Sequence, residues 1–233
     1  MTGGRRQVLM RGPALAAALL ALGGCALGPG RSSQVWWELA DARAGAPGRA
    51  AVRRPRVLAV EGVAAGALYD GIALLYSRGP GMRAPYQYAN WTERPARRLA
   101  RLAQHRLAQR GGFREVVPVD AGIAPDLLLT LTLHALHHAL PDDGEAGRLI
   151  LTLEARLIDW RGRQPLASET FEAVEAVTEG TAAAAVAAAG RACADVLDEL
   201  APWVEQAAGR QAVSGSAGPV SGKVRLPGAP PSR

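Results

Sequence analysis

Three histidines stand close together at His134, His137 and His138. Imidazole nitrogens beside a carboxylate could bind zinc. The residues around them read as a strand, whose alternation puts His134 and His138 on one side and His137 on the other. At most two converge, so the expectation is a polar strand end running out to solvent. Asp142, Asp143 and Glu145 offer calcium chemistry, but without EF-hand spacing they read as a solvated turn. A nucleophilic triad needs Ser, His and Asp brought together. Ser77 and Ser168 lie in ordinary strand contexts, with no strained Gly-x-Ser-x-Gly elbow. Gly79-Pro80-Gly81 lacks the lysine of a phosphate loop. Cys193 falls on the apolar stripe of an Ala-rich helical stretch and reads as a small core residue, not a reactive thiol. No catalytic residue, no metal ligand and no cofactor is therefore expected.

Cys25 has a different setting. Arg5, Arg6 and Arg11 form a positive n-region, and Ala14 to Leu22 is an unbroken apolar run. The run suits a signal-peptide core and falls short of the roughly 20 residues a membrane-spanning helix needs. Leu22-Gly23-Gly24-Cys25 then resembles the lipobox of bacterial lipoproteins, with small residues before the cleavage point and a thiol to acylate, as with palmitate. The competing readings are an ordinary secretory signal with a chance cysteine, or a buried N-terminal helix. Arg5-Arg6 hints at twin-arginine export within an incomplete pattern. The expectation is a signal peptide over 1–24 and lipidation at Cys25. Only two cysteines are present, so an acylated Cys25 leaves Cys193 without a disulfide partner.

The formal charge of +6 on 233 residues suggests a nucleic-acid binder until it is apportioned. The signal holds three Arg. The segment after Ala208 holds Arg210, Lys223, Arg225 and Arg233, and neither end carries an acid. Taking these seven from the 27 basic residues leaves 20 against 21 acidic ones. The body of the chain has no basic excess to neutralise phosphates, which argues against nucleic acid as a partner.

Residues 25–34 read as the lipidated cysteine and a Gly/Pro/Ser tether, 35–208 as one domain, and 209–233 as a disordered Gly/Ser/Pro tail. Within the domain, strands are expected at Val35–Ala40, Arg56–Val60, Ile72–Ser77 and Tyr86–Ala89. Thr92 should cap a helix from Glu93 to about Gln109 that buries Ala96, Leu99, Ala103 and Leu107. Arg94, Arg98, Arg101 and His105 should form a solvated face, or less readily a docking face for an acidic partner or lipid head groups. Trp91 and Tyr88 should pack beneath the helix start. Phe113–Val116 follows as a short strand. A long strand over Asp126–Leu140, with Leu127, Leu129, Leu131 and Leu133 on one side, should pair with Leu149–Asp159. Arg161-Gly162-Arg163 then turns into Leu166–Phe171. A closing helix from about Thr181 should kink at Pro202. The fold class expected is α+β, a two-layer sandwich with a mixed or mostly antiparallel sheet and two helices on one face.

Several pieces in this order resemble a known family: Val35-Trp36-Trp37-Glu38-Leu39, Leu68-Tyr69-Asp70, Leu74-Leu75-Tyr76 and Tyr86-Gln87-Tyr88-Ala89-Asn90-Trp91-Thr92-Glu93-Arg94-Pro95. Gly112-Phe113-Arg114-Glu115-Val116, Ala124-Pro125-Asp126-Leu127, Leu157-Ile158-Asp159, Phe171 and Leu200-Ala201-Pro202-Trp203 complete it. Together they resemble the ABC-type transport auxiliary lipoproteins, which include the outer-membrane lipoprotein of the paraquat-inducible (Pqi) intermembrane transport system. The resemblance spans roughly 35–205; segment 41–54 and the tail match nothing in it. It implies a non-enzymatic auxiliary subunit in lipid transport, partnered by an ABC transporter and a mammalian-cell-entry (MCE) protein. Ala26 rather than Asp after the cysteine fits delivery to the outer membrane, facing the periplasm, and a homo-oligomer on the MCE conduit is compatible. The alternative is a periplasmic lipoprotein hydrolase or envelope-assembly factor with an unrecognised site.

Overall fold

A computed structural model describes residues 33–45, 48–141 and 146–214. The chain divides at Gln34 into two units, and the architecture that follows belongs to the second, from Val35 onward. Its strands are β1 (Val35–Trp37), β2 (Arg54–Ala64), β3 (Ala73–Ser77), β4 (Ala84–Trp91), β5 (Phe113–Pro118), β6 (Leu127–Ala139), β7 (Gly147–Asp159) and β8 (Gln164–Val177). Its helices are α1 (Pro95–Arg110) and α2 (Ala182–Ser214).

The long strand β6 organises the sheet. Its first half lies parallel to β2, which is in turn parallel to β5. Its last residues switch to β3, through Tyr76 beside His138 and Ser77 beside Ala139. Its other side pairs antiparallel with β7 along nearly its whole length, and β7 pairs antiparallel with β8. The smaller run β3–β4–β1 therefore hangs on the far end of β6, with β4 antiparallel to β3 and parallel to β1. This is the expected mixed α+β sheet, with its longest pairings antiparallel.

Both helices cover one face, α1 over β2 and β5, α2 over β7 and β8. The stripes that meet there are leucine on the sheet (Leu127, Leu129, Leu131, Leu133, Leu149, Leu151, Leu153) and small residues on α2 (Ala188, Ala189, Ala192, Cys193). Small side chains let the α2 backbone lie close to bulky strand residues. Val57, Ala59, Val117 and Leu128 form a second, smaller core on the opposite face.

Gly62 explains why β2 runs beyond the expected stop at Val60. A glycine inside a strand pattern reads as a break, yet here it marks a close approach. A Cβ at Gly62 would lie 2.1 Å from the Ala96 carbonyl oxygen and 2.8 Å from the Ala100 Cβ. Only a bare Cα lets α1 sit that low. Two other boundaries differ from the sequence reading. β8 continues to Val177, and α2 runs through Pro202 to Ser214, carried by apolar contacts that outweigh the lost hydrogen bond. The residue preceding α1 is Arg94, extended at φ −60°, ψ 122° with no side-chain cap, and not Thr92. The Thr92 amide instead donates to the Trp37 carbonyl at 2.8 Å, which ties it to β1 just past the end of β4. Pro95 at the first turn fixes φ and needs no N–H partner.

The strict alternation expected along β6 also fails, at one place. Leu133 pairs with Leu153 but Ala135 pairs with Thr152, so His134 is an extra residue, a bulge. Beyond it the parity flips. His138 now pairs with Leu149 on the helix-covered face, while His137 pairs with Ile150 on the other. His134 and His138 do not share a side, and the strand end does not run out to solvent: His137 is 3% exposed and His138 0%.

Candidate functional site

The segment after β1 is a strap across both helices. The Ala42 amide donates to the Gly190 carbonyl of α2 at 3.2 Å, and the Ala50 amide to the Arg110 carbonyl of α1 at 3.0 Å. Asp41 meets Arg106 of α1 (Nε to Oδ2 3.1 Å), with the two side chains 4% and 3% exposed. Arg106 also pairs with Asp198 of α2, and Arg43 spans Asp195 and Asp198, the latter at 2.8 Å. Arg110 grips Glu205 with both nitrogens, at 2.7 and 2.9 Å. Burial opposes the charge on Arg106, but its hydrogen bonds to Asp41 and Asp198 prevail and its pKa is raised. The seam between the helices is thus ionic in the middle of an apolar layer.

The face of arginines on α1 is largely engaged within the chain. Arg98 donates to the Leu39 carbonyl at 2.7 Å and pairs with Glu38, Arg101 pairs with Glu93, and Arg94 reaches Asp70 at 3.6 Å. Arg106 and Arg110, which pair with Asp41, Asp198 and Glu205 in the seam, were missed by the sequence reading. Arg106 stands at i+3 from Ala103 on the buried stripe, which was the available signal.

The second concentration of chemistry lies where β3, β4 and β6 meet. On the helix-covered face, the Tyr86 hydroxyl and the His138 Nδ1 share a hydrogen bond of 2.7 Å, and Tyr76 packs edge-on to Tyr86 with centroids 5.2 Å apart. His138 Nε2 is buried with no partner among the described residues, facing Gly147, where a Cβ would approach it to 2.8 Å. On the opposite face, the Tyr69 hydroxyl sits 3.4 Å from His137 Nδ1, and Arg83 Nε donates to that hydroxyl at 3.2 Å. Burial, then the charge of Arg83 and the neighbouring His138, brings the His137 pKa down to about 4. Burial also lowers His138 and raises Tyr86, the latter with help from Tyr76. Both imidazoles are neutral at pH 7 and point their Nδ1 atoms to phenols on opposite faces of the sheet. They cannot jointly ligate a metal.

The remaining candidates are dispersed. His134 Nε2 lies 3.1 Å from Glu154, which also takes Arg156 at 2.9 Å, in an exposed polar row on the outer face; His134 first, then Arg156, lowers the Glu154 pKa. Ser168 Oγ, in that same row, stands 3.4 Å from Glu154. Ser77 Oγ donates to the Gly79 carbonyl at 2.8 Å and accepts from Arg83 at 3.2 Å, so its proton is committed to a carbonyl. Burial pushes the Cys193 thiol up to about 12, with Asp41 adding to the shift, which makes it inert. Trp91 is buried as expected, whereas Tyr88 is 43% exposed on β4 and does not pack beneath α1. Cys25, Asp142, Asp143 and Glu145 lie outside the described residues. Among the described residues, no group of three or more His, Cys, Asp or Glu could hold a metal, and no helix is long and apolar enough to cross a membrane.

Two open grooves flank the helices. One, of about 440 Å³, runs between the end of β2 and the start of α1, with Glu61, Asp70, Arg94 and Arg97 in its lining. The other, of about 510 Å³, runs between β8 and α2, with Glu172, Val174, Asp195, Asp198, Glu199 and Arg43. Both are polar surface features.

Comparison with known proteins gives the same fold. A crystal structure of a protein from Xanthomonas campestris matches with a TM-score of 0.67 at 16% identity, covering 77% of this chain and 99% of that one. A crystal structure of an uncharacterized protein matches with a TM-score of 0.56 at 16% identity, covering 74% and 99%. A PelC dodecamer from Paraburkholderia phytofirmans is more distant, with a TM-score of 0.39 at 15% identity over 66% and 92%. No curated protein matches. The model of the family described as the ABC-type transport auxiliary lipoprotein component matches residues 38–201, from the strap through β2 to β8, all of α1 and the first part of α2. The chain belongs to the ABC-type transport auxiliary lipoprotein family.

Proposed function

We propose that the protein is a lipid-anchored, non-enzymatic subunit of an ABC/MCE-type system that moves phospholipid between membranes, acting as a binding and scaffold component at the outer membrane, on its periplasmic face. Family membership supplies the ABC transport context and the lipoprotein character. The lipobox ending at Cys25, with Ala26 after it, supports the anchor and its destination. One structural observation carries the scaffold reading: the layer between sheet and helices is occupied by the protein's own leucines and alanines. A lipid carrier needs an enclosed apolar cavity of some hundreds of cubic ångströms. Here the buried layer is made of leucine and alanine side chains in contact, and the two grooves flanking the helices are open and lined with charge. The domain therefore works through surfaces, toward an MCE-domain protein, its ABC transporter, and copies of itself.

Affinity purification from detergent extract tests this. The expected result is co-purification of an MCE-domain protein, with little phospholipid retained by protein released from the membrane as Cys25→Ala. Stoichiometric, tightly held phospholipid with no MCE protein recovered would overturn the scaffold role in favour of a carrier.

A further inference from the structure

Five strands have an end on one rim of the sheet: β5, β2, β6 and β8 begin there, and β7 finishes there. Backbone bonds tie the rim together. The Arg54 amide donates to Gly112 at 2.9 Å, the Asp126 amide to Val57 at 2.9 Å and the Trp160 amide to Asp126 at 3.1 Å. At about 4.8 Å per strand spacing the rim is about 19 Å wide. It is rich in arginine. Arg53 leads into β2, Arg114 follows the first residue of β5, and Arg161 and Arg163 stand in the turn from β7 to β8, all of them exposed. Arg53, Arg114 and Arg163 make no ion pair among the described residues. The acids of the rim are largely engaged. Asp126 accepts from the Val57 amide at 2.9 Å and pairs with Arg161 at 3.2 Å, and Asp159 accepts from the Arg161 amide at 3.3 Å. That leaves Glu115 and Asp120 as the exposed carboxylates nearby.

Apolar side chains stand among these charges. Val52, just before Arg53, is 58% exposed, and Trp160, just before Arg161, is 45% exposed. Ile123, in the loop leading to Asp126, is exposed as well. A protein interface gathers its apolar residues at a centre depleted of charge. Here Val52 and Trp160 each have an arginine as the next residue, which is the mixture found at a lipid boundary. An indole places its apolar body among acyl chains and its N–H among head groups, and arginine is drawn to an anionic surface. Arg163 adds a second sign. It is the one non-glycine residue with a positive φ, 52°, among the described residues. Glycine or asparagine meets such a turn at less cost, so the turn holds a cation at its tip against backbone strain. We propose that this rim rests on an anionic phospholipid surface, with Trp160 in the head-group layer and Arg53, Arg114 and Arg163 against phosphates. The contact needs no lipid on Cys25, and it fixes which end of the domain faces the bilayer.

Vesicle co-sedimentation of the full chain carrying Cys25→Ala tests the proposal, since no acyl anchor then contributes. That chain binds vesicles of phosphatidylethanolamine with phosphatidylglycerol more tightly than vesicles of phosphatidylcholine. Each arginine near an anionic surface is worth about fivefold, so adding Arg114→Gln with Arg163→Gln weakens binding about 25-fold. Arg114→Lys with Arg163→Lys retains most of it. Trp160→Phe removes the blue shift of tryptophan emission that the anionic vesicles produce. Arg78→Gln with Arg148→Gln, at the opposite ends of β3 and β7, changes little. Equal binding to the two kinds of vesicle overturns the proposal, as does an equal loss from the two arginine-to-glutamine pairs. So does a rim pair that leaves vesicle binding unchanged and abolishes recovery of a protein partner, which would make the rim a docking face for an acidic protein.

Discussion

Asp41 and Arg106 face each other in the seam between the helices, a carboxylate from the strap and a guanidinium from α1, both almost completely shielded from water. Removing Asp41 leaves Arg106 with Asp198 as its remaining partner, and losing a buried hydrogen bond between charged groups costs about 1.5–3 kcal/mol. Asp41→Ala should therefore lower the unfolding free energy by about that amount, measured by urea denaturation. Arg43→Ala, which removes a half-exposed partner of Asp195 and Asp198, should cost under about 1 kcal/mol. Equal losses for the two would mean that the strap is held by its backbone contacts alone.

Gly62 is the low point on which α1 rests. Alanine there would drive a methyl into the Ala96 carbonyl at 2.1 Å, a contact with backbone that no rotamer relieves. Lifting α1 off β2 disturbs packing along the whole layer, and overpacking of this kind costs about 1–3 kcal/mol or more. Gly62→Ala should reduce the melting temperature clearly, while Gly66→Ala, with open space around it, should not. A Gly62→Ala protein as stable as the parent would contradict the packing described for α1.

His137 gives the fold a pH dependence of defined sign. Its pKa falls from 6.5 to about 4 on folding, chiefly through burial, so the unfolded chain binds the proton more tightly. The stabilisation is complete above pH 6.5 and is lost as pH falls toward 4. Between pH 7 and 5 the loss from this group is about 2 kcal/mol. His138, shifted the same way by burial, adds to it. Unfolding free energies at the two pH values should show the drop, and His137→Gln should flatten it. A slope unchanged by His137→Gln would place the titration elsewhere.

The sheet and its helices were legible because their signals are periodic: alternating leucines on β6 and the stripe on α1 state their own faces. What escaped was whatever depends on a partner distant in sequence. The bulge at His134 arises where β6 exchanges β2 for β3, and nothing within residues 126–140 announces that exchange. It moved His138 to the helix side and sealed both histidines into the interior. The strand expected to stop at Val60 continues through Gly62, whose reason, Ala96, comes from another element. Segment 41–54 matched nothing in the family resemblance, since Asp41 and Arg43 show their partners only once both helices are side by side. Tyr88 was assigned to the core by its position before a helix, and its strand faces it outward.

The proposed anchor rests on Cys25, the last residue of the lipobox-like Leu22-Gly23-Gly24-Cys25. Each buried methylene of an acyl chain contributes about 0.8 kcal/mol to membrane attachment, so two or three chains hold a protein far more firmly than surface charge can. Removing the thiol should therefore move the protein between fractions without touching its stability. Cys25→Ala is expected in the soluble fraction after lysis, with a urea midpoint equal to that of the parent and mobility lacking an acyl shift. The Asp41 and Gly62 variants should behave in the opposite way, destabilised yet membrane-bound. Recovery of the Cys25→Ala protein in washed membranes, resistant to high salt, would show that something other than a lipid on Cys25 holds it there.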